Sequence, residues 1–180
     1  MIQQLSDFLR GTIKRDDQQM IALEEELTHL NLYLEIEKVR FGYRLQTKID
    51  HDEALLHLKL PSMLLQPVVE NAIKFGLYDT IGEVVILISA SSKDGMLEIS
   101  VQNPFDEATA SPVKGTGFGL ASVRRRLFLL FGRNDLLDTR QEAGQFTSTI
   151  KIPIEGVITP TTTRENADTE KPPLSAANSN

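Results

Sequence analysis

The stretch "LLQPVVENAIKFG" is apolar except where Glu70, Asn71 and Lys74 interrupt it. Pro67 has no N–H to donate inside a helix, so the pattern predicts a helix over roughly 63–78 with the proline in its first turn. At about 100° per residue, Glu70, Asn71, Lys74 and Tyr78 share one stripe, while Val68, Val69, Ala72, Ile73 and Gly76 point the other way. Phe75 borders the stripe beside Asn71. These side chains suit one chemistry. Magnesium takes oxygen ligands, keeps several waters, and uses one or two protein groups beside substrate phosphates. The neutral amide oxygen of Asn71 can be such a ligand without repelling a polyphosphate. Lys74, one turn away, can neutralise phosphate charge, and Phe75 can stack on a planar base. The plainer alternative is an amphipathic helix whose Glu70 and Lys74 form an i, i+4 ion pair.

A second stretch, "VKGTGFGLASVRRRL", alternates Gly115, Gly117 and Gly119 and runs straight into a helix with Leu120, Val123, Leu127 and Leu130 on its apolar side. Glycines let backbone amides approach a phosphate, and a helix start favours anions. The loop is neither a Walker loop nor a dinucleotide fingerprint. Arg124, Arg125 and Arg126 point three ways around the helix, so one or two of them can face a ligand and the rest are surface charge. Before this loop, "SVQNPFDEATASPVK" leaves a strand as a polar segment long enough to act as a lid over a nucleotide.

These residues need a scaffold to position them. With 180 residues, 41% hydrophobic and 24% charged, the chain is sized for one α/β domain plus appendages. A formal charge of −6 argues against a nucleic-acid partner. The absence of cysteine rules out disulfides and thiolate metal sites. No run of about 18 apolar residues and no signal-peptide pattern is present, so the chain is expected to be cytoplasmic, without a membrane segment of its own.

Residues 1–40 read as helix. Leu23, Leu27, Leu30 and Leu34 form a stripe, which fits packing inside the domain and a dimer seam equally well. Glu24, Glu25, Glu26, Glu35 and Glu37 are expected on the other faces. From Arg40 the period changes. "RLQTKID" and "LHLKLP" alternate like paired strands with "DHDEA" as their turn; "EVVILISA" and "MLEISVQ" form a hairpin around Asp94-Gly95; "FTSTIKIP" is a last strand. Helices over 63–78 and 119–131 lie between them. The order predicts a two-layer α/β sandwich over 41–155, a mixed and mostly antiparallel sheet with helices on one face. Residues 156–180, rich in Thr, Pro, Asn, Ala and Ser, are expected to be a disordered tail.

Together the motifs resemble the catalytic, ATP-binding domain of sensor histidine kinases, whose fold is shared with gyrase, Hsp90 and MutL (the GHKL or Bergerat group), and within it the LytS-like subfamily. "LPSMLLQPVVENAIKFGL" is similar to the subfamily's N box, "GTGFGLASVRRRL" to its second glycine box, and "LEEELTHLNLYLEIEKVRFG" to the segment joining dimerisation helices to the ATPase domain. "LSDFLRG" looks like the end of the phosphoacceptor region, so the resemblance implies that the helical segment 1–40 comes from the dimerisation or phosphoacceptor region. The resemblance covers roughly residues 5–154. It implies ATP and Mg2+ as ligands, with Asn71 on the metal, Glu70 holding a metal-bound water, Lys74 on phosphate and Phe75 beside adenine. It further implies Gly115, Thr116, Gly117, Gly119, Leu120 and Arg124 as the lid and phosphate side.

The sequence departs from the pattern twice. Asn103, in "QNPFDEA", stands where the family normally has an Asp that accepts the adenine amino group, and the glycines that follow that Asp are missing. An amide oxygen can still accept that bond. The phosphoaccepting histidine, expected upstream in a Pro-His-Phe context, is none of His29, His51 and His57. The resemblance therefore implies transfer of the ATP γ-phosphoryl group to a histidine outside this chain and then to a response regulator, in a full-length protein that is a homodimer. The alternatives are a degenerate, non-catalytic GHKL module for dimerisation or signalling, or another GHKL ATPase or serine kinase.

Overall fold

In the computed structural model, residues 19–78, 82–105 and 118–154 are described, without the side chains of Tyr78 and Phe118. Expectations for residues 1–18, for the loop 106–117 with Gly115, Thr116 and Gly117, and for the tail 156–180 lie outside the described residues.

The first described element is a short strand, β1 (Met20–Ala22), where a helix was expected. It pairs antiparallel with β3 (Lys59–Pro61), and this contact overrides local helical preference. Helix α1 (Leu23–Phe41) begins only there. Its first free N–H groups, on Leu23 and Glu24, donate to the carbonyls of Leu58 and Leu56, which satisfies donors that no helix can satisfy for itself. Gly42, at φ 59°, ends the helix by donating its N–H to the Lys38 carbonyl. Leu23, Leu27, Leu30 and Leu34 are all 5% exposed or less and belong to the same core as the sheet. The leucine stripe therefore packs inside the chain. Glu26 departs from expectation: it lies on that stripe and is buried.

β2 (Leu45–His51) does not pair with β3 as the alternation suggested. It runs parallel to β4 (Val84–Lys93), from Leu45 opposite Val84 to His51 opposite Ala90. Alternation tells that a strand is half-buried but not which strand lies beside it. The intervening "DHDEA" forms a 3-10 turn over Glu53–Leu55, capped by Asp52, whose Oδ1 accepts the Ala54 N–H. After α2 (Gln66–Tyr78), β4 turns through Asp94 and Gly95, both at positive φ, into β5 (Met96–Pro104). Helix α3 (Phe118–Phe131) follows. An unexpected strand, β6 (Leu137–Glu142), then pairs with β7 (Gln145–Pro153) across a second positive-φ turn at Ala143 and Gly144.

The sheet order is β2-β4-β5-β7-β6, with only the β2–β4 pair parallel. Its sides differ as a half-covered sheet requires. Leu97, Ile99 and Val101 on β5 sit opposite Ile152, Ile150 and Ser148 on β7, all buried under the helices. The other side carries Glu98 paired with Lys151 and Ser89 hydrogen-bonded to Ser100. No helix among the described residues is long and apolar enough to cross a membrane.

Candidate functional site: a polar helix face above a buried amide

Helix α2 is held against the sheet by Val68, Val69, Ala72, Ile73 and Leu77, all buried. Gly76 makes the closest approach. A Cβ there would stand 2.9 Å from Val84 Cγ1, 3.5 Å from Asn103 Cβ and 3.6 Å from Ile86 Cδ1. The helix therefore rests directly on β4 and β5. Val84 is fully buried and β-branched, so it cannot turn aside cheaply. Gly76→Ala is expected to destabilise the fold by about 1 kcal/mol, overpacking outweighing the better helix propensity of alanine. Urea unfolding measures it, and a gain in stability would contradict the contact.

The opposite face carries the predicted stripe. Glu70 and Lys74 are exposed, and Asn71 and Phe75 are half-buried. Gln66 Nε2 donates to Glu70 Oε1 at 2.8 Å, so the carboxylate is oriented from one turn earlier. The Lys74 ammonium rests 5.4 Å from the centre of the Phe75 ring. Tyr33 of α1 lies in the field of this face: burial pushes its hydroxyl pKa up, and the carboxylates of Glu37 and Glu70 push it the same way against Arg40.

Beneath the helix lies Asn103, fully buried on β5. Its Nδ2 donates to the Pro104 carbonyl at 2.8 Å. A carbonyl can only accept, so this bond fixes which way the amide points. Oδ1 is then left buried with no partner among the described residues. An orphan acceptor of this kind costs about 1–3 kcal/mol unless a ligand donor meets it. An Asp here could not make the Pro104 contact, which gives the Asn a local reason.

The glycine stretch reaches the same helix. A Cβ on Gly119 would lie 3.5 Å from the Pro67 carbonyl, so the start of α3 abuts the first turn of α2. Leu120 is half-buried against the core and Arg124 is exposed on α3. Of the histidines, His29 is buried in α1, His51 ends β2 and His57 is exposed.

Three charged residues that position α2 escaped the sequence reading. Arg44 Nη2 donates to the Leu77 carbonyl at 3.0 Å, and its Nε donates to the Gly82 carbonyl at 3.3 Å; this puts a cation at the helix's C-terminal end. Glu26 and Arg126 hold the turn before its N-terminal end. Glu26 had a readable signal, since it falls three residues after Leu23 and four before Leu30 on the apolar stripe. Arg126 had the same one, three residues after Val123 and four before Leu130, and Arg44 had none.

The histidine kinase family matches residues 1–45. The sensor histidine kinase BtsS of Escherichia coli K12 is 34% identical over 155 residues, covering 85% of this chain and 27% of the relative. The sensor protein LytS of Oceanobacillus iheyensis is 32% identical over 147 residues, covering 74% of this chain and 25% of the relative. The chain thus spans about a quarter of the length of these relatives. Among solved structures, the catalytic domain of histidine kinase ThkA superposes with a TM-score of 0.55 at 20% identity, over 76% of this chain and 95% of that one. The Acinetobacter baumannii histidine kinase AdeS gives 0.54 at 13% identity, over 86% and 77%. Over most of its length the chain is similar to sensor histidine kinases, LytS among them, and it has the fold of a histidine kinase catalytic domain.

Proposed function

We propose that this chain is the ATP-binding catalytic part of a sensor histidine kinase, moving the γ-phosphoryl group of ATP to a histidine outside the chain and from there to a response regulator. The observation that carries the reading is the buried, unpartnered Oδ1 of Asn103 beside Gly76. An exocyclic purine amine supplies the donor it lacks. Adenine has such a donor where guanine has a carbonyl, so the same atom selects between the two bases.

The roles of the other residues follow from their chemistry. Phe75 offers a ring face to the base, Lys74 a cation to the phosphates, and the close approach of Gly119 to α2 leaves backbone beside them. No cluster of three or more acidic or histidine ligands occurs among the described residues, which fits an ion held mainly by substrate phosphates. Magnesium would be held by the Asn71 oxygen with a Glu70-bound water, and would neutralise charge across the phosphates. In the transfer, the bond from γ-phosphorus to the bridging oxygen of ADP breaks as a bond to the histidine nitrogen forms. Such chemistry asks the protein chiefly for positioning. We further assign β1 and α1 to the catalytic unit, because the leucines of α1 share its core and β1 pairs with β3; dimerisation through an upstream region belongs to the same reading.

Calorimetric titration with ATP, with and without magnesium, tests the proposal. Asn103→Leu keeps the volume but removes the acceptor; ATP affinity is expected to fall about ten-fold, the scale of one buried hydrogen bond, and discrimination against GTP to disappear. Unchanged affinity and an unchanged ATP-to-GTP ratio would refute the assignment.

A further inference from the structure

Glu26 is the only buried carboxylate among the described residues, at 1% exposure. It reaches across from α1 to a turn far away in sequence. Oε2 accepts the Met63 N–H at 2.7 Å and Oε1 accepts the Leu65 N–H at 2.9 Å. Leu65 is the residue from which α2 starts, its carbonyl accepting from Val68 and Val69. The carboxylate thus sits at the positive end of the helix that carries Asn71.

The same turn is held from two other sides. Arg126 Nη1, on α3, donates to the Ser62 carbonyl at 2.7 Å, and the Ser62 N–H donates to the Gln19 carbonyl at 2.9 Å. Met63 is kept at φ 55°, a conformation that a side chain of its size rarely adopts. Opposite charges therefore act on neighbouring peptide groups, a carboxylate on N–H donors and a guanidinium on a carbonyl. Charge-assisted bonds of this sort are directional as well as strong. A leucine at position 26 would continue the apolar stripe without the cost of burying a charge, so filling space does not explain Glu26. Directional control of the turn does.

We infer that Glu26 and Arg126 are positioning residues for the nucleotide site: acting through the Ser62–Leu65 turn, they fix where α2 presents Asn71 and Glu70. The consequence for nucleotide rests on the proposed function, whereas the consequence for the helix does not. A helix is stiff over this length, so a shift at its first turn carries to Asn71.

The experiment pairs amide hydrogen exchange with calorimetric titration of Mg-ATP on the full chain. Glu26→Gln keeps the shape but turns an amide N–H toward one backbone N–H. Exchange is expected to quicken over residues 63–78 while β5 and β7 stay protected, and Mg-ATP affinity to drop about ten-fold, within the range that coupling through a contact network produces. Arg126→Met, which keeps the apolar stem and removes the donor to Ser62, should give the same local pattern more weakly and stands in should Glu26→Gln fail to fold. Unchanged exchange over 63–78 in both variants overturns the inference. So does exchange that rises equally in β5 and β7, which marks a merely structural role. Should the unsubstituted chain fail to bind Mg-ATP, the proposed function falls, and the exchange pattern still decides whether the clasp positions α2.

Discussion

Asn71→Ala is expected to remove magnesium-dependent ATP binding and, in the full-length kinase, to lower phosphohistidine formation by about 10²-fold or more, as losing a preorganised group at developing phosphate charge does. The fold should be untouched. Asn71 is half-exposed on the outer face of α2, so truncation opens no cavity, and alanine is the better helix former. The readout is therefore a split: the unfolding midpoint stays, while the difference between titrations with and without magnesium vanishes. Lys74→Ala provides the contrast, since it removes a cation that meets phosphate with or without metal. Magnesium dependence that survives in the Asn71 variant would take the metal away from this helix.

The polar face of α2 was legible because helical period and side-chain chemistry coincide there. Glu70, Asn71, Lys74 and Phe75 are neighbours by arithmetic alone, and the structure places them so. Asn103 became legible through the resemblance; what the structure adds is the bond to Pro104, which orients the amide and leaves Oδ1 free. The order of elements and the mixed sheet were also readable. Pairing was not. β2 and β3 are adjacent in sequence and both alternate, yet β2 finds β4 and β3 finds β1, because alternation marks a half-buried strand without specifying its neighbour. β6 escaped because an edge strand buries little: of Leu137–Glu142 only Leu137 is buried, too few apolar positions to set a period. Glu26 stands in one acidic run with Glu24 and Glu25, and that composition suggests solvent decoration. Composition hid what its place on the leucine stripe showed.

Leu30→Ala is expected to cost about 2–5 kcal/mol, the range for deleting a buried leucine side chain, from a total that for a domain is only about 5–15 kcal/mol. The stripe on α1 allowed two physical outcomes, and they predict different experiments. A dimer seam would leave the residue wet in the monomer, so its loss would weaken association and make the unfolding midpoint depend on protein concentration. Leu30 instead is 1% exposed within one chain, among Leu34, Leu45 and Leu60 in the common core. Its removal leaves a cavity that α1 cannot close by moving, because the helix is tied at its start to Leu56 and Leu58 and through Glu26 to the turn before α2. The midpoint in urea should therefore fall by the same amount at every protein concentration. Leu129→Ala, at a site 71% exposed on α3, should shift it by no more than about 0.5 kcal/mol. A concentration-dependent loss at Leu30 would return the stripe to a dimer seam. It would also detach α1 from the unit that carries Asn71.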